Sequence, residues 1–383
     1  MPRPSIIALA SVALVVAGCG SSSNSTSSSA TTNAPAPAAT TSANSDFLAP
    51  LKTVSTVTST VPANGDINPY GLVLVPTSTG KLTAGDLLVS NFNDTANNQG
   101  TGTTIMQISP TGKQSLFSTV NASSLPGSCP GGVGLTTALS VIPGGYVVVG
   151  SLPTTNGKSA TAKLGCLIVL DSSGKPVSTI SGPQIAGPWD MTSVSHGNET
   201  TLFVSNVLNG GAANGIHTIK ASTVLRIRLR SGVGQPPKVL SEQVIANKIP
   251  WRDDPAALVI GPTGVALASN GTLYLADTLD NRIDAIPDAM TRTTAVPDGG
   301  STVSEGGLLK QPLGLILAPN GNILTTNAGD GNMVETTPAG KQVIAQTADT
   351  KTGAGSLFGL VIAPEDKGIY YVDDGENTLR LLH

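Results

Sequence analysis

Residues that could carry out chemistry are few in this chain. The three histidines are His196, His217 and His383, and no nucleophile elbow, phosphate-binding glycine loop, dinucleotide fingerprint or His-Glu-x-x-His motif accompanies them. His196 lies in a Ser-His-Gly-Asn sequence, which is typical of a surface turn. We therefore predict no catalytic residue and no metal ligand.

A second set of residues combines large aromatic rings with charges. Its members stand at or just before the start of predicted strands, and both tryptophans of this aromatic-poor chain belong to it. The set comprises Tyr70, Trp189, Asp190, Trp251, Arg252, Asp253 and Phe358. Aromatic anchors with a few charges suit a recognition surface, so we predict ligand binding here; simple hydrophobic packing is the alternative.

The N-terminus has the pattern of an export signal. Arg3 supplies a positive charge, and residues 6–16 form an apolar run that is too short to span a bilayer as a permanent helix. The run ends in Val-Ala-Gly-Cys at residues 16–19, which resembles the bacterial lipobox. The resemblance implies that residues 1–18 are a signal peptide and that Cys19 is lipidated. An ordinary secretory signal with a chance cysteine is the alternative.

Residues 19–46 are predicted to form a disordered tether. They are almost entirely Ser, Thr, Ala, Pro and Asn, so they cannot bury enough apolar surface to offset the cost of ordering the chain. Coil scaling puts the following domain, residues 47–383, roughly 25–30 Å from the membrane. We expect a lipid-anchored monomer at the bacterial cell envelope, outside the cytoplasm. Charged residues are 12% of the chain, with a net charge of -3 and no basic patch, so we expect no nucleic-acid partner.

Cys129 and Cys166 remain if Cys19 is lipidated. Two thiols in an oxidising compartment can pair, and their spacing matches neither a redox Cys-x-x-Cys motif nor a zinc site. We predict a disulfide between them; two unpaired thiols are the alternative.

A repeat runs through the domain. Its clearest unit, residues 261–283, predicts a strand, an Asn270-Gly271 turn, a second strand, a polar loop and a third strand. The same spacing returns at residues 312–327 and, with two extra turn residues, at 358–380. Looser copies begin near residues 69, 138 and 187. These units predict an all-β domain of six similar parts.

Residues 261–283 resemble the NHL repeat. The matching positions are Pro262, Gly264, Asn270, Gly271, Asp277, Asn281, Arg282 and Ile283. The resemblance implies a six-bladed β-propeller whose four-stranded blades surround a channel. The last unit offers only three strands, whereas residues 51–61 form a spare segment rich in β-branched residues. We therefore predict that this N-terminal strand closes the ring.

One polar position recurs after the second strand of each unit. Its occupants are Asn91, Ser151, Asn206, Asp277, Asn327 and Asp373. A calcium ion is one interpretation, because Ca²⁺ takes carboxylate and amide oxygens. Side chains that hydrogen-bond the backbone of their own turns are the favoured interpretation, and we predict no cofactor.

Two functional classes stay open. The first is a non-enzymatic binding or scaffold lipoprotein that takes a protein or a small molecule at the channel mouth. The second is a metal-dependent propeller hydrolase or lyase, because sugar lactonases, arylesterases and streptogramin lyase are similar in architecture and hold a divalent metal in the channel. The lack of a histidine-rich set or an assignable inner glutamate favours the binding module.

Replacement of Cys19 by serine tests the lipid anchor. We expect Cys19→Ser to accumulate as an unprocessed or soluble form, since the acyl acceptor is gone. Labelled fatty acid and membrane fractionation would be compared between the variant and the parent. Equal membrane association, with no label on either protein, would contradict lipidation at Cys19.

Overall fold

A computed structural model describes residues 46–209, 217–351, 353 and 355–383. Cys19 and the predicted signal peptide and tether lie outside these residues, apart from residue 46. Regular structure in the described part is almost entirely β, and its only helices are single 3₁₀ turns at Ala122–Ser124, Ser159–Thr161 and Pro364–Asp366. No helix of the described part has the length and apolarity needed to cross a membrane.

Six antiparallel sheets form the blades of a ring, and each blade is numbered in chain order. Blade 1 consists of β2 (Ile67–Leu74), β3 (Leu87–Asn93), β4 (Thr104–Ile108) and β5 (Gln114–Thr119). Blade 2 consists of β6 (Leu135–Ile142), β7 (Tyr146–Ser151), β8 (Cys166–Leu170) and β9 (Pro176–Ile180). Blade 3 consists of β10 (Gly187–His196), β11 (Glu199–Val207), β12 (Ile219–Gly232) and β13 (Gln235–Asp254), with the short strands β14 (Leu258–Ile260) and β18 (Val296–Pro297) added to β13.

The remaining blades follow the same order. Blade 4 consists of β15 (Pro262–Leu267), β16 (Leu273–Asp277), β17 (Arg282–Ile286) and β19 (Ser301–Glu305). Blade 5 consists of β20 (Pro312–Leu317), β21 (Ile323–Asn327), β22 (Asn332–Thr336) and β23 (Gln342–Thr347). Blade 6 consists of β24 (Leu357–Ile362), β25 (Ile369–Asp373), β26 (Thr378–Leu382) and β1 (Val54–Ser59). The predicted six-bladed β-propeller is confirmed. We call the face where the innermost strands begin the upper face, and the opposite one the lower face.

Local turn chemistry and burial explain the strands. In blade 4, Gly271 has φ of 85°, and its N–H donates to the carbonyl of Ala268 at 2.9 Å, which closes the predicted hairpin between β15 and β16. Apolar side chains then fill the spaces between neighbouring blades. Val148 and Val169 of blade 2, for example, share one buried cluster with Leu202 and Leu225 of blade 3. The core is therefore divided among the interfaces between blades.

The N-terminal strand closes the ring as predicted. β1 pairs antiparallel with β26, from Val54 opposite Leu382 to Ser59 opposite Thr378. The spare strand of the sequence thus supplies the outer strand that the last unit lacks. Closure satisfies the backbone groups along the edge of β26, which would otherwise recruit other chains.

A short segment before β1 is also held in place. The backbone N–H groups of Phe47 and Leu48 donate to the Glu335 carboxylate of blade 5 at 3.0 and 2.8 Å. Leu48 and Leu51 are buried in the cluster between blades 5 and 6. The segment leading to β1 therefore contacts one blade before it completes the next.

The predicted disulfide joins two parts of the ring. Cys129 lies in the segment between β5 and β6, and Cys166 is the first residue of β8; their Cα atoms are 5.3 Å apart. Cys166 is fully buried and Cys129 is half-buried. The bond therefore ties the crossing from blade 1 to blade 2 onto the second of these blades.

Truncation separates the two N-terminal contributions. We compare proteins that begin at residues 46, 53 and 62. The first should melt like the full chain, and the second should lose the burial of Leu48 and Leu51. The third also exposes the edge of β26, so we expect a further fall in melting temperature together with aggregation. Equal melting of the second and third proteins would contradict a stabilising role for the β1–β26 pairing.

Candidate functional site

The innermost strands approach one another closely around the channel. In four blades the innermost strand has a glycine two residues after the residue that pairs with the recurrent polar position of the second strand. These glycines are Gly71, Gly264, Gly314 and Gly359. A Cβ on Gly359 would lie 2.6 Å from the carbonyl oxygen of Tyr70, and one on Gly71 would lie 3.0 Å from that of Thr137. Only a residue without a side chain fits such an approach. The channel is therefore narrow at this level.

An aromatic layer blocks the channel just above the glycines. Tyr70 stacks on Phe358 with ring centroids 3.8 Å apart and on Phe92 at 4.6 Å, while Trp189 meets Tyr70 edge-on at 5.8 Å. These rings are 93% or more buried, since the most exposed of them, Phe358, has a relative exposure of 7%. Stacked and edge-to-face pairs are the favoured geometries for aromatic rings. The layer divides the channel into two cavities.

The upper cavity opens above this layer and has a volume of about 350 Å³. Tyr70, Trp189 and Phe358 form part of its apolar lining. Its polar lining residues are Asn68, Arg252, Asp254, Thr263, Thr278, Gln311 and Asp374. A mostly apolar concavity with a few convergent polar groups is the usual form of a small-molecule site.

Asp374 gives the upper cavity a group that can exchange a proton near neutrality. Burial, reinforced by the negative charge of Asp373, raises the pKa of Asp374 to about 8. Burial, and the charge of Asp374, also raise the pKa of the Tyr70 hydroxyl well above its ordinary value. At neutral pH both groups are therefore predominantly protonated and able to donate a hydrogen bond.

An ion pair forms another part of the upper wall. The Arg252 guanidinium lies 3.0 Å from the Asp254 carboxylate, and the two side chains are 26% and 13% exposed. The pair contributes two opposite charges, so it leaves little net charge on this side of the cavity. It offers directional hydrogen-bonding groups and exerts little attraction on a charged ligand.

The aromatic and charged set predicted from the sequence is divided among three places. Tyr70, Trp189, Phe358 and Arg252 line the upper cavity. Trp251 is fully buried outside the cavity lining, where its indole N–H donates to the carbonyl of Asn209 at 3.1 Å, and Asp253 is also buried away from the lining. Asp190 lies below the aromatic layer, where it lines the lower cavity and the narrow connection between the two.

Asp374 and Phe92 are residues that the sequence interpretation missed. Both directly follow the recurrent polar position at the end of the second strand. The residues at this next position are Phe92, Leu152, Val207, Thr278, Ala328 and Asp374. Thr278, Ala328 and Asp374 line the upper cavity. Asp374 is the only charged residue at this position, which apolar side chains or Thr occupy in the other blades. This difference could have identified Asp374 as a candidate site residue from the sequence.

The recurrent polar position itself holds the backbone. The Asn206 side-chain oxygen accepts hydrogen bonds from the N–H groups of Ala186 and Gly187, both at 2.9 Å. The Asn327 oxygen accepts one from Lys310 at 3.1 Å. Asn206 and Asn327 thus fix the segment that leads into the innermost strand of their own blade, whereas the expected bond within the turn itself is present at Asp277 and Asp373, which accept from the N–H groups of Asp280 and Glu376.

Carboxylate and imidazole side chains do not cluster around the channel in the described residues. In the part of the chain that the structure describes, no three His, Cys, Asp or Glu side chains come together in a way that could hold an ion. Asp374 and Asp190 line different cavities, and Asp254 pairs with Arg252. A calcium ion takes six to eight oxygen ligands. No reaction step is therefore assigned to a metal.

No protein-family model and no curated protein matches the chain. Solved structures match its fold. A gluconolactonase from Xanthomonas campestris has a TM-score of 0.52 at 13% identity, over 86% of this chain and 88% of that one. A luciferin-regenerating enzyme has a TM-score of 0.51 at 11% identity, over 86% and 94% of the two chains. Regucalcin from Agrobacterium tumefaciens, a calcium-binding protein, has a TM-score of 0.51 at 12% identity, over 85% of this chain and 93% of that one.

These likenesses place the chain among six-bladed β-propellers and extend to the fold alone. The resemblance of residues 261–283 to the NHL repeat stays a prediction.

Replacement of Trp189 tests whether the aromatic layer is structural. Trp189→Ala should lower the free energy of unfolding by about 3–5 kcal/mol, as for other buried aromatic residues, because the rings of Tyr70 and Phe92 lose their packing partner. Denaturant unfolding would measure the change, with Val233→Ala, at a site that is 93% exposed, as the matched control. A loss as small as that of the control would show that Trp189 supports no packing.

Proposed function

We propose that the upper cavity binds a small organic molecule and that this is the function of the domain. The cavity combines a volume of about 350 Å³ with an aromatic floor and a protonated carboxyl group, and this combination carries the proposal. Preformed walls support it further, since the innermost strands of five blades and the buried rings leave little to reorganise when a ligand enters.

The chemistry of the walls favours a neutral ligand with a carbonyl or ether oxygen. Protonated Asp374 donates a hydrogen bond to such an oxygen, while the opposite charges of Arg252 and Asp254 offset each other. The aromatic floor packs against a ring or an apolar body. Lactones and esters have these properties, and we take them as the ligand class.

Turnover of the same ligands is the second candidate function. The fold neighbours named above include a gluconolactonase and a luciferin-regenerating enzyme, which favours this alternative. Asp374 has the properties of a general acid near pH 7. In hydrolysis of a lactone, water would add to the carbonyl carbon, the acyl C–O bond would break, and Asp374 would protonate the departing ring oxygen. The second proton of the water would then return to Asp374.

The setting of this site follows from the N-terminal sequence. We propose that residues 1–18 direct export and that a lipid on Cys19 anchors a monomeric propeller outside the cytoplasm, on the residues quoted above. The predicted disulfide between Cys129 and Cys166, which the fold accommodates, suits that oxidising setting.

The Asp374→Asn variant tests the proposal. δ-Valerolactone and p-nitrophenyl acetate would be titrated into the protein between pH 6 and 9, with calorimetry for binding and product release for turnover. We expect binding that weakens as the pH rises through about 8, because the proton-donating form of Asp374 is lost there. Asp374→Asn should remove this pH dependence and any turnover that requires an acid.

Asp190→Asn is the matched control, because it makes the same change in the other cavity. It should leave lactone and ester binding unaltered. Absence of binding for both probes at every pH, or an equal effect of the two variants, would contradict the assignment of the ligand to the upper cavity.

A further inference from the structure

The lower cavity is a second space in the channel, with a different chemistry. It has a volume of about 380 Å³ and is lined by the innermost strands of all six blades. Its walls include Leu72, Leu139, Met191, Val265, Leu315 and Leu360. Asp190 is the only ionisable side chain among the described residues that line either this cavity or the narrow connection above it. A single carboxyl group thus stands at the inner end of an apolar cavity.

Asp190 departs from the repeat. Asp190 pairs with Ser205 of the second strand in blade 3, just as Gly71 pairs with Ser90 in blade 1, so the two residues occupy equivalent positions. Blades 4, 5 and 6 also have glycine at this position. The propeller therefore builds this level of the channel without a side chain in four blades. Blade 3 alone places a carboxyl group there, and an unpaired buried carboxylate destabilises a protein. The fold itself gives no reason for the negative charge.

The hydrogen bonds of Asp190 do not require a charge either. Its carboxyl group accepts from the backbone N–H groups of Met191, at 2.8 Å, and Val265. An asparagine oxygen could accept the same two bonds. Burial outweighs these bonds and raises the pKa of Asp190 to about 7, and no other charged group contributes to that shift.

A second polar group in the same place lacks a partner. The Thr137 side chain is 93% buried, since its exposure is 7%, and it lines both the lower cavity and the connection beside Asp190. Its hydroxyl oxygen has no hydrogen-bond partner among the described residues. Buried polar groups in native proteins are usually satisfied, so this hydroxyl is free to accept a hydrogen bond from a bound group.

We propose that the lower cavity is a binding site for a primary organic amine, whose ammonium group pairs with Asp190 and donates to Thr137 while its apolar body fills the cavity. An ammonium group has three N–H donors and no acceptor, which suits a carboxylate beside an unsatisfied hydroxyl. The apolar walls suit a short alkyl or aryl chain. This site is separate from the upper cavity and does not depend on the function proposed there.

The proposal has a definite pH dependence. An amine with a pKa well above 9 stays charged, so binding follows the ionisation of Asp190. A carboxyl group with a pKa near 7 is about one-tenth ionised at pH 6 and about nine-tenths ionised at pH 8. Affinity for an amine should therefore be about tenfold higher at pH 8 than at pH 6. Affinity for an alcohol of the same length should not rise over this range.

The experiment titrates n-pentylamine, 1-pentanol and pentanoate into the full-length protein at pH 6, 7 and 8. We expect the amine to bind with the stated pH dependence and pentanoate to bind at least tenfold more weakly at pH 8. Asp190→Asn should weaken amine binding at least tenfold at pH 8 and remove its pH dependence. Asp374→Asn should change neither the affinity for the amine nor the pH dependence of amine binding.

Two further observations keep the test decisive. The melting temperature of Asp190→Asn should equal or exceed that of the parent at pH 8, because the variant removes a desolvated charge. If that variant fails to fold, the comparison of amine with alcohol across pH in the parent decides the question. Amine binding that is absent, insensitive to pH, retained in Asp190→Asn or lost in Asp374→Asn would overturn the proposal.

Discussion

The close approach of the six innermost strands is the constraint on which the rest of this structure depends. At one level of the channel the backbones come so near that four blades carry glycine, and a Cβ on Gly359 would lie 2.6 Å from the carbonyl of Tyr70. The large side chains directly above that level pack against one another, because the narrow channel leaves them no other space. Tyr70, Phe358 and Trp189 form a layer in this way. The narrow passage then separates the two cavities.

A carboxyl group interrupts the repeat at one position beside each cavity, Asp374 in the upper and Asp190 in the lower one. Asp277 and Asp373 also occupy buried positions, and burial raises their pKa values, that of Asp277 to about 7, although Arg282 and Arg380 lie 3.1 Å from them. Asp190 and Asp374 have no such cation among the contributors to their pKa values, and burial raises both pKa values to about 7 and 8. A partly desolvated carboxyl group destabilises the fold when it ionises without a partner. The other blades place glycine, Thr or an apolar side chain at these two positions, and this difference underlies the two ligand sites that we propose.

Ring closure maintains this geometry. The channel keeps its width only while blade 6 stays joined to both of its neighbours, and the outer strand of that blade comes from the other end of the described chain. Glu335 of blade 5 holds the backbone of Phe47 and Leu48 just before that strand begins. Closure therefore couples the N-terminal segment to the shape of cavities that it does not line.

The sequence by itself determined the repeat, the Asn-Gly turns, the number of blades and the strand that closes the ring. These features follow from local patterns: a turn needs positive φ at Gly271 whatever surrounds it, and three strands in the last unit need a fourth. Only the tertiary structure decided which side chains meet. Tyr70 and Phe358 are nearly 300 positions apart along the chain and stack at 3.8 Å, while Asp190 follows Trp189 directly and lies on the other side of the aromatic layer. Contacts around a closed ring depend on how closely the six blades approach one another, and no local stretch of sequence encodes the distance between blades.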